Sequence, residues 1–274
     1  MVIDFHVHGF PDDLAVKAVP ALAACAGIPA RSDGTVGQIK KSMKNAGVNR
    51  SVVLSIATKP AQTEKVNTWS AAIQDEDIIA FGSIHPEYMQ WEDELKRIKS
   101  LGLKGIKFHP DYQGFFADEP RMFPIYELAI ELGLMIIFHA GVDIGLPPPC
   151  HCTPERLLKV VKQCRGGTII AAHMGGYAYW DEVEKLLVGQ DIYFDTSYSI
   201  GVINELQAKR IIQNHGYQRI LFATDSPWRD QKEEIEKISG LGLKTQEIQA
   251  ILGENARGLL KISNSKVSDF LIGG

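Results

Sequence analysis

The sequence predicts a (β/α)8 barrel: eight parallel strands, a helix after each, and further helices at the C-terminal end. Three observations lead there. Short apolar runs alternate with helix-like stretches along the 274 residues. The runs end near positions 8, 55, 84, 109, 139, 173, 196 and 225, and one strand-plus-helix unit takes roughly 30 residues. Several runs also close on a polar residue, as expected where strand ends share one mouth. A doubly wound open sheet is the structural rival, and it gives those polar ends no common meeting point.

The elements follow in order. Val2 to His8 is the first strand, with His6 and His8 on one face and Asp4 one layer below. Asp12 to Ala30 is Ala-rich and holds a helix or two. Gly34 to Ala46 is helical and stops at Gly47. The first strand-to-strand gap is long, so this segment extends over the strand ends. Arg50 to Ser55, Ile78 to Ile84 and Gly105 to Pro110 are strands two to four, separated by helices at Gln62 to Gln74 and Trp91 to Leu101. Met122 to Leu132 is helical and leads into the strand Met135 to His139. Thr153 caps a helix that begins at Pro154 and runs to Gln163. Thr168 to His173 is strand six, followed by a helix from Trp180 to Leu187. Asp191 to Thr196 is strand seven, followed by a helix from Ile203 to Asn214. Ile220 to Asp225 is strand eight. Helices at Gln231 to Ile238, Thr245 to Leu252 and Glu254 to Leu260 complete the chain, and residues after about Ser263 are expected to be loosely held. With no linker or repeat, residues 1–274 read as one domain.

Composition narrows the function. The chain is 45% hydrophobic and 23% charged, an ordinary globular balance. Its net charge of −4, with no basic stripe, argues against a nucleic-acid partner. Nothing is apolar enough to span a membrane, and no leader pattern stands at the N-terminus. The four cysteines, Cys25, Cys150, Cys152 and Cys164, do not make a disulfide framework, so a cytoplasmic setting is expected. Cys150-His151-Cys152 lacks a second cluster to complete a structural zinc site, and the loop from Pro147 reads as a stiff edge of the pocket.

The chemistry lies at the strand ends. His6, His8, His139, His173 and Asp225 each close a strand, and imidazoles with a carboxylate are ligands of a divalent metal such as zinc. Alternation also turns Lys107 and His109 into the barrel and points Asp195 inward. Trp228 and Arg229 follow Asp225 directly, where Arg229 is able to bind a carboxylate.

Ile3-Asp4-Phe5-His6-Val7-His8, Phe138-His139-Ala140-Gly141, Ala172-His173-Met174-Gly175-Gly176 and Thr224-Asp225-Ser226-Pro227-Trp228 together resemble the motifs of the amidohydrolase superfamily. The branch they look most like is the amidohydrolase-related one that includes aminocarboxymuconate-semialdehyde decarboxylase, and Gly253-Glu254-Asn255-Ala256-Arg257 resembles its C-terminal helix signature. The resemblance implies that His6, His8, His139 and Asp225 are ligands of one zinc ion. It implies that Asp225 exchanges protons with a metal-activated water and that His173 orients that water or binds a second metal. Lys107 stands where binuclear relatives carry a carboxylated lysine. The plainer reading makes it an ammonium paired with Asp4 or with a substrate carboxylate.

The expected function is therefore metal-assisted hydrolysis of an amide, ester or lactone on a small molecule, with His109, Lys107, Asp195, Trp228 and Arg229 as substrate contacts. The alternative is a metal-dependent non-oxidative decarboxylase or other lyase on a small carboxylic acid. A deoxyribonuclease of the TatD kind fits Asp225-Ser226-Pro227 but carries a glutamate where this chain has Lys107. A barrel that binds metal or ligand without turnover is the non-enzymatic reading. A homodimer is compatible with the class, although no sequence feature marks one.

Overall fold

The computed structural model describes residues 1–263, and the expectation for the chain beyond Ser263 falls outside them. The strands are β1 (Ile3–Val7), β2 (Arg50–Leu54), β3 (Ile78–Phe81), β4 (Gly105–Phe108), β5 (Met135–Phe138), β6 (Ile169–Ala171), β7 (Tyr193–Asp195) and β8 (Ile220–Leu221), all parallel. Backbone hydrogen bonds join the two edges into a closed ring. Gly82 N donates to Gly105 O at 2.9 Å and Lys107 N to Gly82 O at 2.8 Å, between β3 and β4. Phe5 N donates to Phe222 O at 2.8 Å and Asp225 N to His6 O at 2.8 Å, between β1 and the extension of β8.

The helices are α1 (Asp12–Ala26), α2 (Val36–Ala46), α3 (Thr63–Ala72), α4 (Trp91–Ser100), α5 (Pro110–Gln113), α6 (Phe123–Glu131), α7 (Pro154–Gln163), α8 (Trp180–Leu186), α9 (Glu205–His215), α10 (Gln231–Gly240), α11 (Thr245–Gln249) and α12 (Asn255–Leu260). Their ends follow local chemistry. The Thr153 side chain accepts from Arg156 N and starts α7, and Gly27 and Gly47 end α1 and α2 in the left-handed conformation. The sequence places the start of α9 at Ile203. It lies at Glu205 because the Asn204 side chain accepts from Leu206 N and Gln207 N and fixes the first turn. The two helices expected after Lys244 form one rod, α11 running through a π-turn at Ala250–Glu254 into α12. No helix among the described residues is long and apolar enough to cross a membrane.

Two apolar layers hold the barrel. Ile106, Phe108, Ile136, Phe138, Phe194 and Phe222 face the surrounding helices. Phe5, Phe81, Ile137, Ile170, Leu221 and Ala223 pack with one another in the second cluster, to which every strand but β4 and β7 supplies a buried residue. Ala256 and Leu260 of α12 join it and plug one end. Strand β1 departs from simple alternation. Its register against β2 shifts between Asp4 and Val7, a bulge that re-aims side chains. Asp4 therefore does not lie beneath His6 and His8. It turns toward α10, where its Oδ2 accepts from Gln231 Nε2 at 2.7 Å and from Thr224 Oγ1 at 2.6 Å.

Gly105 is required where β3 meets β4, since a Cβ there would stand 2.5 Å from Met135 O and 2.5 Å from the Phe81 ring. The Gly105→Ala variant is expected to lose about 1–3 kcal/mol, read from its urea midpoint. His215 gives a pH signature remote from the site. It is 5% exposed, donates from Nε2 to Ile192 O at 2.8 Å and accepts at Nδ1 from Gly189 N at 3.1 Å. Burial lowers its pKa to about 4, against the opposing Ile192 hydrogen bond. The unfolded chain therefore takes up a proton first as pH falls. His215 should draw stability down between about pH 6.5 and 4, by on the order of 3 kcal/mol in all. His215→Gln should flatten that part of the stability–pH curve, and an unchanged slope would refute the assignment.

Candidate metal centre

The site lies where β1, β7 and β8 end. His6 Nδ1–H donates to Asp195 Oδ2 at 2.9 Å, and His8 Nδ1–H donates to Leu54 O at 3.2 Å. A carbonyl accepts only, so in the neutral His8 ring Nδ1 carries the proton and Nε2 is a lone pair. Burial, reinforced by the Lys107 charge, lowers the His6 pKa to about 3, against the pull of Asp195 and Asp225. His6 is therefore neutral, and its Nε2 is also a lone pair.

These two nitrogens face each other at 3.2 Å. Asp225 Oδ1 completes the set, 3.4 Å from His6 Nε2 and 3.1 Å from His8 Nε2. Burial would raise the Asp225 pKa, but the imidazoles of His8, His6 and His173 around it outweigh burial and hold it far below the usual carboxylate range. Three acceptors thus converge without a proton of their own between them. Donors bound to one ion at about 2.0–2.1 Å stand roughly 3.0–3.4 Å apart. The donor set and its spacing fit a divalent cation. Lys107 is a cation the chain itself brings there, with Nζ 3.3 Å from His6 Nε2. It is buried, and burial lowers its pKa to about 8 against the charges of Asp195 and Asp225. The expected pairing of Lys107 with Asp4 is not made, because the β1 bulge turns Asp4 to the opposite side.

His139 and His173 form a pair beside this trio. His173 Nδ1–H donates to Ser197 O at 2.9 Å, leaving Nε2 to accept from His139 Nδ1 at 3.0 Å. His139 Nε2 is then a buried acceptor with no hydrogen-bond partner. The sequence groups His139 with His6, His8 and Asp225, whereas the structure pairs it with His173 and stacks it on His109, ring centroids 4.0 Å apart and planes 12° from parallel. His109, His139 and Asp143 also offer donors within 4.8 Å of one another. An imidazole ligates through a lone pair in its ring plane, so two nearly parallel rings 4.0 Å apart do not direct theirs at one ion. His109 instead donates from Nε2 to Asp143 Oδ2 at 3.0 Å, while its Nδ1 accepts from Tyr112 N at 3.4 Å.

Backbone strain accompanies this geometry. His173 and Asp225 have φ of 58° and 68°, a left-handed conformation costing about 1–3 kcal/mol in a residue other than glycine. Asp195 anchors the first of these through its Oδ1, which accepts from His173 N and Ser197 N, both at 3.0 Å, and from Ser197 Oγ. His6 and His173 outweigh burial and lower the Asp195 pKa to about 2, so it stays ionised.

The trio opens onto a cavity of about 770 Å³. His109 and Trp228 line it, whereas Lys107 and Asp195 lie outside its wall. Arg229 lies outside it too, because its guanidinium stacks 4.1 Å over the Tyr198 ring. The expected extension of the segment after strand one is seen in Phe10, Leu14, Leu22 and Ala26, which wall the cavity. The proline-rich loop does not edge it. That place is taken by Val142, Asp143 and Ile144, while His151 Nδ1 lies 2.7 Å from Asp111 Oδ1. Sequence reasoning missed Asp143, Ser197, Tyr177 and Tyr198. Only Ser197, in the polar run after β7, carried a signal.

The family model described as amidohydrolase matches residues 3–262. The chain belongs to the amidohydrolase family. It is accordingly an enzyme of that superfamily. No curated protein matches this amidohydrolase in sequence. Among solved structures, an uncharacterised TIM-barrel protein from Bordetella bronchiseptica is similar at 20% identity and TM-score 0.78, over 95% of this chain and 98% of that one. A 2,6-dihydroxybenzoate decarboxylase from Rhizobium is similar at 16% and 0.70, over 95% and 98%. A 5-carboxyvanillate decarboxylase from Novosphingobium aromaticivorans, solved with manganese and 4-hydroxy-3-methoxy-5-nitrobenzoic acid, is similar at 15% and 0.71, over 96% of each chain. These likenesses establish the barrel.

Zinc or manganese at a hundredfold excess over its Kd should stabilise the protein by about 2.7 kcal/mol, seen as a rise in melting temperature. His8→Ala and Asp225→Asn should abolish the rise. Asp195→Asn should weaken metal affinity about 10–100-fold through the orientation of His6. A full metal-induced rise in Asp225→Asn would refute the assignment.

Proposed function

We propose that this amidohydrolase is a metal-dependent, non-oxidative decarboxylase of a small carboxylic acid, with one divalent cation, zinc or manganese, as cofactor. The observation that carries the reading is the convergence of His6 Nε2, His8 Nε2 and Asp225 Oδ1 at a cavity large enough for an organic acid. The choice of decarboxylation over the hydrolysis expected from sequence is supported by the neighbours of like fold, two of which are decarboxylases of phenolic acids.

His6, His8 and Asp225 would hold the cation, with His139 beside them. Bound there, it supplies a Lewis acid that withdraws electron density from an oxygen of the acid. When the carbon–carbon bond to the carboxylate breaks, the electron pair stays on the substrate carbon, which must then receive a proton. His139 and His173 both line the cavity and share one proton between His139 Nδ1 and His173 Nε2. They are the pair we assign to its delivery. Asp225, ionised at neutral pH, would hold the cation, and the proton that the pair gives to carbon is regained from solvent through the open cavity. Asp195 acts by fixing His6 rather than by touching substrate.

Product analysis with carboxyl-labelled hydroxybenzoic acids tests the reading. Labelled carbon dioxide should be released in the presence of metal, and His173→Asn should slow it about 10²–10⁴-fold. Cleavage of amides or lactones with no carbon dioxide from any acid would restore the hydrolytic reading instead.

A further inference from the structure

The cavity joins a polar cluster to apolar walls. His8, His139, His173 and Asp225 make the cluster. Leu22 and Ala26 of α1, Ile28 beyond it, and Val66 and Trp69 of α3 belong to the apolar walls. Its volume of about 770 Å³ falls within the roughly 300–1,000 Å³ of sites that bury drug-sized ligands, well beyond the needs of one substituted ring. Charge points the same way. Apart from histidines, Lys65 is the sole basic residue of the wall, and Asp13 and Asp143 oppose it. Arg229 is held on Tyr198 outside the wall.

Helix α1 adds an independent observation. It buries only Ala15 and Val19 of its 15 residues. Its end is nevertheless pinned, because Cys25 Sγ donates to Gly145 O at 3.0 Å. Leu14 and, from the loop after β5, Ile144 line the cavity while remaining 48% and 42% exposed. An apolar wall that protein leaves largely unpacked gains by contact with an apolar ligand.

We propose that the substrate is an aromatic monocarboxylic acid bearing an uncharged apolar arm, its carboxylate at the metal trio and its arm in a sleeve made by the apolar wall residues that α1 and α3 supply. The inference rests on the decarboxylase reading for the acid end alone. A second carboxylate on the arm would meet apolar side chains and the carboxylates of Asp13 and Asp143.

The test uses the purified protein supplied with manganese and a series of 4-alkyl-2-hydroxybenzoates from methyl to hexyl. Calorimetry measures Kd for each, and carbon dioxide release is followed separately. Kd should fall about two- to fourfold per methylene through at least the butyl member. Leu22→Asp and Val66→Asp should flatten the series, and Leu22→Gln provides a milder variant if the aspartate impairs folding. Val16→Asp, at an exposed position of α1 outside the cavity, should leave the series intact. A falling Kd with no carbon dioxide from any member would uphold the sleeve and sink the decarboxylase reading. Carbon dioxide release with a flat or rising Kd would do the reverse. No saturable binding by any member would also overturn the sleeve.

Discussion

Two imidazole lone pairs and a carboxylate oxygen, held within 3.4 Å of one another in a buried pocket, repel unless a positive charge sits among them. Proteins rarely bury polar atoms without compensation, because each one left unpaired forfeits its hydration. Here the other ring nitrogens are already committed, one to Asp195 and one to Leu54 O, so neither ring can turn to relieve the clash without losing a hydrogen bond. The rest of the architecture acts to maintain this confrontation.

Closure of the barrel brings β1 beside β8 and thereby sets His6 and His8 against Asp225. The β1 bulge lets Phe5 enter the apolar interior while His6 still reaches the site, and it sends Asp4 out to tie Thr224 and Gln231. That outward network fixes the segment just before Asp225. The left-handed backbone at His173 and Asp225 is strain concentrated at the functional end of the barrel and offset by packing elsewhere. Asp195 joins the two halves of the site, bonding a side chain of the trio and the backbone of His173.

Much of this was legible in the sequence, for definite reasons. Strands buried on both faces read as continuous apolar runs, and each ended on its polar residue, so His6, His8 and Asp225 stood out before any coordinates. The inward direction of Lys107 and Asp195 followed from a two-residue period that β4 and β7 keep. Asp4 misled because a bulge breaks that period, and nothing in Ile3-Asp4-Phe5-His6 announces it. The partners of His139 were hidden because they depend on ring orientation and on Asp143, a loop residue with no periodic signal. Arg229 was misplaced for a similar reason: adjacency to Asp225 in the chain says nothing of Tyr198, which captures its guanidinium. The apolar roof was legible only as a long gap after the first strand, since an Ala-rich helix looks the same whether it covers a site or merely packs.

The central claim is that the trio is a metal site, and anomalous diffraction from a manganese-loaded crystal tests it most directly. The account predicts a single strong peak within about 2.0–2.3 Å of His6 Nε2, His8 Nε2 and Asp225 Oδ1. A peak instead between His109 and Asp143, with the trio empty and bridged by the Lys107 ammonium, would contradict it.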